Sequence, residues 1–234
     1  AGNEGIVVAD HNDLDYAAAD SVTLSAWVNM SALPSAWRGI VTKSAGGSWY
    51  GLWVSDTNTW NLEVNPSGTV YSLSGGAAST GWRYLTAVQE GSGSGNRRRI
   101  YVDGVETASA AVAYGVSNAA NFVIGDSVID PNFVGSIDEV RFSKAARSAG
   151  WIATEYNNQS DASAGADKFI KSVGPEEAAP WWNASWQYKK TLTLNADMVV
   201  GPNTVPTRDD SDLADMPVLV SYTDADIGES AQYT

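Results

Sequence analysis

Cysteine is absent from this chain of 234 residues, and histidine occurs once. Without thiols there is no disulfide framework and no thiolate metal site. Serine–histidine catalysis needs a base that titrates near neutrality, and His11 is the sole candidate. It stands in the polar run Asp10-His11-Asn12-Asp13, and no Gly-x-Ser-x-Gly turn exists to present a serine. His11 therefore reads as a solvated loop residue. Basic residues are scarce too: 14 Lys and Arg face 27 Asp and Glu, a net charge of −13. Such a surface repels phosphates and anionic lipid, which sets nucleic acid and membrane surfaces aside as partners. No run approaches the roughly 18 apolar residues of a membrane-spanning helix. No signal peptide precedes Ala1, so the chain is expected to be a mature or excised piece.

Aromatic residues are plentiful instead, with ten Trp and ten Tyr, more Trp than one sandwich core normally needs. Short alternating runs recur between turn signals at the spacing of a β-sandwich. Strands are expected at 5–9, 21–30, 37–43, 49–55, 59–65, 69–73, 82–90, 97–103, 105–109, 121–125 and 133–143. Ile100-Tyr101-Val102-Asp103-Gly104-Val105 spells a hairpin, because Asp-Gly accepts two positive φ angles between β-branched runs. Gly91 to Asn96 reads as a hairpin loop; a phosphate cradle would need a helix N-terminus behind it. One short helix is expected over 148–157, capped by Ser148 and carrying Trp151, Ile152, Glu155 and Tyr156 at helical spacing.

Four stretches, taken together, resemble a known family. They are Val22-Thr23-Leu24-Ser25-Ala26-Trp27-Val28, Trp82-Arg83-Tyr84-Leu85-Thr86-Ala87-Val88, the hairpin at Asp103-Gly104, and Phe133-Val134-Gly135-Ser136-Ile137-Asp138-Glu139-Val140-Arg141-Phe142. In order and spacing they are similar to the laminin-G-like domains of the concanavalin A-type lectin/glucanase family, with Val22 where that family usually has Phe. The resemblance covers roughly residues 5 to 157. It implies an all-β, concanavalin-type jelly-roll β-sandwich over 1–160, and a binding module sooner than an enzyme.

After Ser160 the chain turns small, polar and Pro/Glu-bearing, the composition of a linker over 161–180. Pro180-Trp181-Trp182-Asn183-Ala184-Ser185-Trp186-Gln187-Tyr188-Lys189-Lys190 then opens a second unit over 181–234. It resembles the start of an uncharacterised bacterial domain family, with Lys189 and Met216 departing from that family's Arg and Phe. Such domains commonly sit beside laminin-G-like ones in large surface proteins, which implies an extracellular or cell-surface location. A β unit this short rarely buries enough surface alone. It is expected to be an incomplete sandwich, finished by further residues or by another chain.

The candidate chemistry follows. Glycoside hydrolysis needs two carboxylates flanking one bond. The family's Glu-x-Asp-x-x-Glu triplet is missing, and Asp138-Glu139 are adjacent in sequence, so no enzyme is expected. By resemblance, Asp138 aligns with an aspartate that holds a structural calcium in several relatives. Asp13 and Asp20 are the candidate further ligands; otherwise Asp138 caps a turn. In Ser48-Trp49-Tyr50-Gly51-Leu52-Trp53-Val54, alternation puts Tyr50, Leu52 and Val54 on one face and Trp49, Gly51 and Trp53 on the other. If the first set is buried, Trp49 and Trp53 face outward with Trp60 near the next turn, as indoles suited to stacking on sugars. Glu63 and Asn65 would add polar contacts; otherwise these Trp cover a neighbouring loop or domain. Trp27 and Trp82 match family core positions. The expectation is a non-catalytic glycan-binding module of a bacterial surface or secreted protein. A structural adhesin or filament block self-associating through 181–234 is the alternative, and a glycoside hydrolase the third.

Overall fold

Alternation in the first long strand decides which way it faces. Val22, Leu24, Ala26, Val28 and Met30 enter the core, while Thr23, Ser25, Trp27 and Asn29 turn to the opposite side. The computed structural model describes residues 5–127, 132–161, 163–178, 188–199, 220–223 and 230–233. They fall into two units, Ala1–Arg147 and Ser148–Thr234.

The first unit is built from β1 (Ile6–Val8), β2 (Val22–Met30), β3 (Arg38–Ala45), β4 (Ser48–Val54), β5 (Thr59–Asn65) and β6 (Tyr71–Ala77). It continues with β7 (Gly81–Glu90), β8 (Arg97–Val102), β9 (Val105–Ala111), β10 (Phe122–Ile124) and β11 (Gly135–Ser143). One sheet runs β1-β10-β3-β4-β5-β6 and the other β11-β2-β7-β8-β9. Neighbours are antiparallel throughout. The chain changes sheets after β1, β2, β6, β9 and β10, which is the crossing pattern of a jelly roll. Between the sheets lie Leu24, Val28, Ile40, Leu52, Val54, Trp60, Leu85 and Ile100, each at most 4% exposed. The fold is the expected concanavalin-type all-β sandwich, and Tyr50, Leu52 and Val54 form its buried set as alternation required. The Asp103-Gly104 hairpin has its two positive φ angles, 52° and 78°. Asp103 also ties the turn down: one carboxylate oxygen accepts from the Tyr84 N–H at 2.9 Å and the other pairs with Arg83 at 3.1 Å.

In the second unit Ser148 caps α1 (Ala149–Ser160), its hydroxyl accepting from the Trp151 N–H at 3.1 Å. The stretch expected to be a linker contains β12 (Ile170–Ala178), paired with β13 (Tyr188–Leu194). Gly174 and Pro175 are residues that ordinarily weaken or interrupt a strand. They sit where the register shifts between Val173 and Glu176, an irregularity that tolerates a residue without an N–H. A short α2 (Ala196–Val199) follows, then β14 (Val220–Thr223) paired with β15 (Ser230–Tyr233). The aromatic opening at Trp181, Trp182 and Trp186, and Met216 to Leu219, lie outside the described residues.

Candidate functional site

Sheet register gathers most of the expected binding residues on one face. β4 and β5 set Trp49 opposite Asn65, Gly51 opposite Glu63, and Trp53 opposite Asn61. β3 places Ser44 beside Trp49 and Thr42 beside Gly51; β6 places Ser72 beside Glu63 and Ser74 beside Asn61. All of these occupy the outer side of the six-stranded sheet. Trp60 does not join them. It is in register with Val54, one residue out of phase with the outward set, and at 1% exposure belongs to the core.

Trp53 faces outward in register yet is only 1% exposed, so its ring is not offered to a ligand. Two glycines explain this. A Cβ on Gly51 would stand 2.1 Å from the Val41 carbonyl oxygen and 3.0 Å from the Trp53 ring. Gly39, the cross-strand partner of Trp53, faces the Asp126 carbonyl and Ser127 Cβ, both 2.8 Å from where its own Cβ would be. Asp126 and Ser127, just after β10, lie over the sheet here: Thr42 Oγ1 donates to Asp126 O, and Arg38 Nη1 donates to Asn132 O, each at 3.1 Å.

What stays accessible is narrower than the sequence suggested. Trp49 is half-buried with its indole N–H turned inward and unpaired. Asn65 is buried, and its amide oxygen accepts from the Gly68 N–H at 2.6 Å, which commits it to a turn. Glu63 is half-buried and Ser72 and Ser74 are exposed. The face thus offers an indole, a carboxylate and two hydroxyls across adjacent strands. Glu63 is the one carboxylate among these gathered residues, whereas glycoside hydrolysis uses two.

The residues proposed for calcium are not brought together. Ile137 takes the inward position and Asp138 points out, opposite Trp27. It is exposed, and its Oδ1 accepts from the Glu139 N–H at 2.8 Å. Asp20 accepts from the Ala17 N–H at 2.7 Å, and Asp13 is exposed in a short 3-10 turn beside His11. No group of three or more His, Cys, Asp or Glu among the described residues is placed to hold a metal ion. These three carboxylates therefore do not fit a shared ion.

A cation of another kind occupies the end of the sandwich, and sequence reasoning passed over it. Lys43 is fully buried, and its ammonium lies 2.8 Å from Asp10 and 2.9 Å from Asp15. It also donates to the backbone carbonyl of Asn118 and to its side-chain oxygen. Burial acts to raise the Asp15 pKa, but hydrogen bonds from Lys43, the Asn118 N–H and Ser117 outweigh it and hold the pKa below the usual value. The available signal was parity: in β3, Lys43 pairs with the core residue Tyr50 and so must point inward.

Trp82 departs in the opposite sense. It was assigned to packing, but it lies on the outer side of the five-stranded sheet and is 45% exposed. Trp27 is half-buried beside it.

The family model of the concanavalin A-like lectin/glucanases superfamily matches residues 1–153. Domain 4 of AbnA, an extracellular arabinanase from Geobacillus stearothermophilus solved with arabinotriose, is 23% identical with a TM-score of 0.52, over 63% of this chain and 70% of that one. The binding domain of Paraclostridial Mosquitocidal Protein 1 is 11% identical with a TM-score of 0.57, over 99% of this chain and 62% of that one. The binding domain of botulinum neurotoxin DC, solved with rat synaptotagmin II, is 12% identical with a TM-score of 0.53, over 67% and 41%. The chain thus spans only part of either toxin domain. No curated protein matches it. No helix among the described residues is long and apolar enough to cross a membrane.

Proposed function

This chain belongs to the concanavalin A-like lectin/glucanase superfamily, and from that premise we propose that it is a non-catalytic carbohydrate-binding module of a secreted or surface protein. The observation that carries the reading is the strip of Trp49, Glu63, Ser72 and Ser74 across β4, β5 and β6. An indole ring offers an apolar face to sugar C–H groups, while a carboxylate and hydroxyls accept and donate to sugar hydroxyls. A domain of the same fold solved with arabinotriose supports it. The lone carboxylate supports binding without hydrolysis.

Affinity electrophoresis in gels containing neutral plant and bacterial polysaccharides tests the reading. At least one gel is expected to retard the protein, and Trp49→Ala to weaken that binding about tenfold, the loss of about 1.4 kcal/mol of stacking. Incubation with the same polysaccharide is expected to release no reducing sugar. Retardation that is identical for Trp49→Ala and wild type ends the assignment to this strip.

One observation favours the structural-block alternative. Leu192 and Leu194, two residues apart on β13, are 36% and 37% exposed. If that edge joins copies, size-exclusion chromatography will show concentration-dependent association that Leu192→Ser with Leu194→Ser removes. A monomer at every concentration leaves the binding module standing alone.

A further inference from the structure

The five-stranded sheet carries an outward patch that neither the Trp49 strip nor the core uses. Register arranges it as two rows across β7, β2 and β11. Trp82, Asn29 and Ser136 form the first row, and Tyr84, Trp27 and Asp138 the second. Adjacent strands are about 4.8 Å apart and same-face neighbours along a strand about 7 Å. Tyr84, at one corner, is fully buried; the rest of the patch spans about 10 Å by about 7 Å at its widest, the footprint of one or two sugar rings.

Trp82 is 45% exposed but firmly supported. Trp27 meets it edge-on at 6.5 Å and 75°, and packs in turn at 5.2 Å against Tyr84, which is fully buried. An exposed indole held this way loses little freedom when a ligand covers it, which is the pre-organisation that binding rewards. Its neighbours are uncommitted. Asn29 and Ser136 make no side-chain hydrogen bond to another described residue, and Asp138 has one oxygen held by Glu139 N–H. That contrasts with the Trp49 strip, where Asn61 and Asn65 are already engaged.

We propose that the Trp82–Asn29–Ser136 row, with Asp138 beside it, is a second carbohydrate-binding site, on the sheet opposite the first. The indole stacks on a sugar ring, the Asn29 amide both donates and accepts, and Ser136 and Asp138 take sugar hydroxyls. The ligand class is a neutral glycan. The patch holds no Lys or Arg: Arg141, one row further along β11, is paired with Glu139, and Arg83, between Trp82 and Tyr84 in the chain, is in register with the core residue Val28 and pairs with Asp103. An anionic sugar would meet Asp138 with no cation in the patch to answer it. With two sites on opposite sheets, one module joins two polysaccharide chains.

The inference shares its ligand chemistry with the proposed function but not its residues, so the two fail separately. The test uses the full chain in gels of arabinan, xylan, mannan and mixed-linkage glucan, with polygalacturonate as the anionic arm. Trp82→Ala is expected to weaken retardation in a neutral gel about tenfold at an unchanged melting temperature. Asn29→Ala should weaken it several-fold, and adding Trp49→Ala should remove what remains. The site is overturned if Trp82→Ala and Asn29→Ala match wild type in every gel that retards it. Retardation by polygalacturonate alone overturns it too. So does a change of oligomeric state on Trp82→Ala, which would assign the patch to contacts between copies. Loss of all retardation in Trp49→Ala alone removes the second site and leaves the first. No retardation of wild type in any gel removes both.

Discussion

Lys43→Met is expected to destabilise the first unit by about 3 kcal/mol, the lower end of the range for breaking a buried ion pair. The side chain is fully buried, and its removal takes the ammonium from the carboxylates of Asp10 and Asp15 and from the Asn118 carbonyl, leaving Asp15 the weaker donors Asn118 N–H and Ser117. Asp10 and Asp15 keep side-chain exposures of 33% and 18%, so water recovers part of the loss. Urea unfolding followed by tryptophan fluorescence reads the effect as a lower midpoint at an unchanged slope. Lys43→Met combined with Asp10→Asn and Asp15→Asn should regain some of it, because fewer charges are then left facing one another. The pH dependence has a defined sign. The Asp15 pKa is lower in the folded chain than in the unfolded one, so its contribution is present above the unfolded value, about 4, and is lost as pH falls through the folded value. In Lys43→Met that acid-side loss should shrink. An unchanged midpoint in urea would mean the ammonium contributes nothing to the fold.

Trp60→Ala is expected to cost about 3–5 kcal/mol, the range for emptying an aromatic site in a close-packed core. Trp60 is 1% exposed and faces the opposite sheet, whose inner side is lined by Leu24, Val28, Leu85 and Ile100. Trp49, half-buried on the outer side of the same sheet, should lose much less on truncation, while changing ligand affinity. Thermal melts of the two variants, run together, separate a packing tryptophan from a binding one. If Trp60→Ala does not fold, Trp60→Phe, with a smaller drop, keeps the comparison open. Equal melting temperatures for Trp60→Ala and wild type would contradict the core assignment.

The side on which a residue falls was legible in the sequence; what covers that side was not. Strand period placed Tyr50, Leu52 and Val54 inward, and Trp49, Trp53, Glu63 and Asn65 together on the other face. Whether an outward indole meets water depends on segments far away in the chain. Trp53 is enclosed where two glycines open a slot and Asp126 and Ser127 lie beside it, Asp126 being 84 residues from Thr42. Trp82 is open because the end of β7 lies beside Asn29 and Ser136, with small side chains for neighbours. Trp60 was misplaced by a single step of phase. The Lys43 cluster joins positions 28 and 75 residues apart, and no local pattern announces such a meeting. In the second unit, Gly174 and Pro175 hid a strand because bulges suspend the rules that otherwise exclude those residues.

The pairing of β1 with β10, and of β2 with β11, has a consequence for how the protein comes into being. Within this unit the first strand to be made, Ile6–Val8, finds its partner only at Phe122–Ile124, and β2 waits for Gly135–Ser143. Neither sheet is complete, and Asn118 is not there to meet Lys43, until nearly the whole of the first unit has been synthesised. Contacts so distant along the chain make folding slow. The first unit is therefore expected to remain open throughout its own synthesis and to close as one event afterwards.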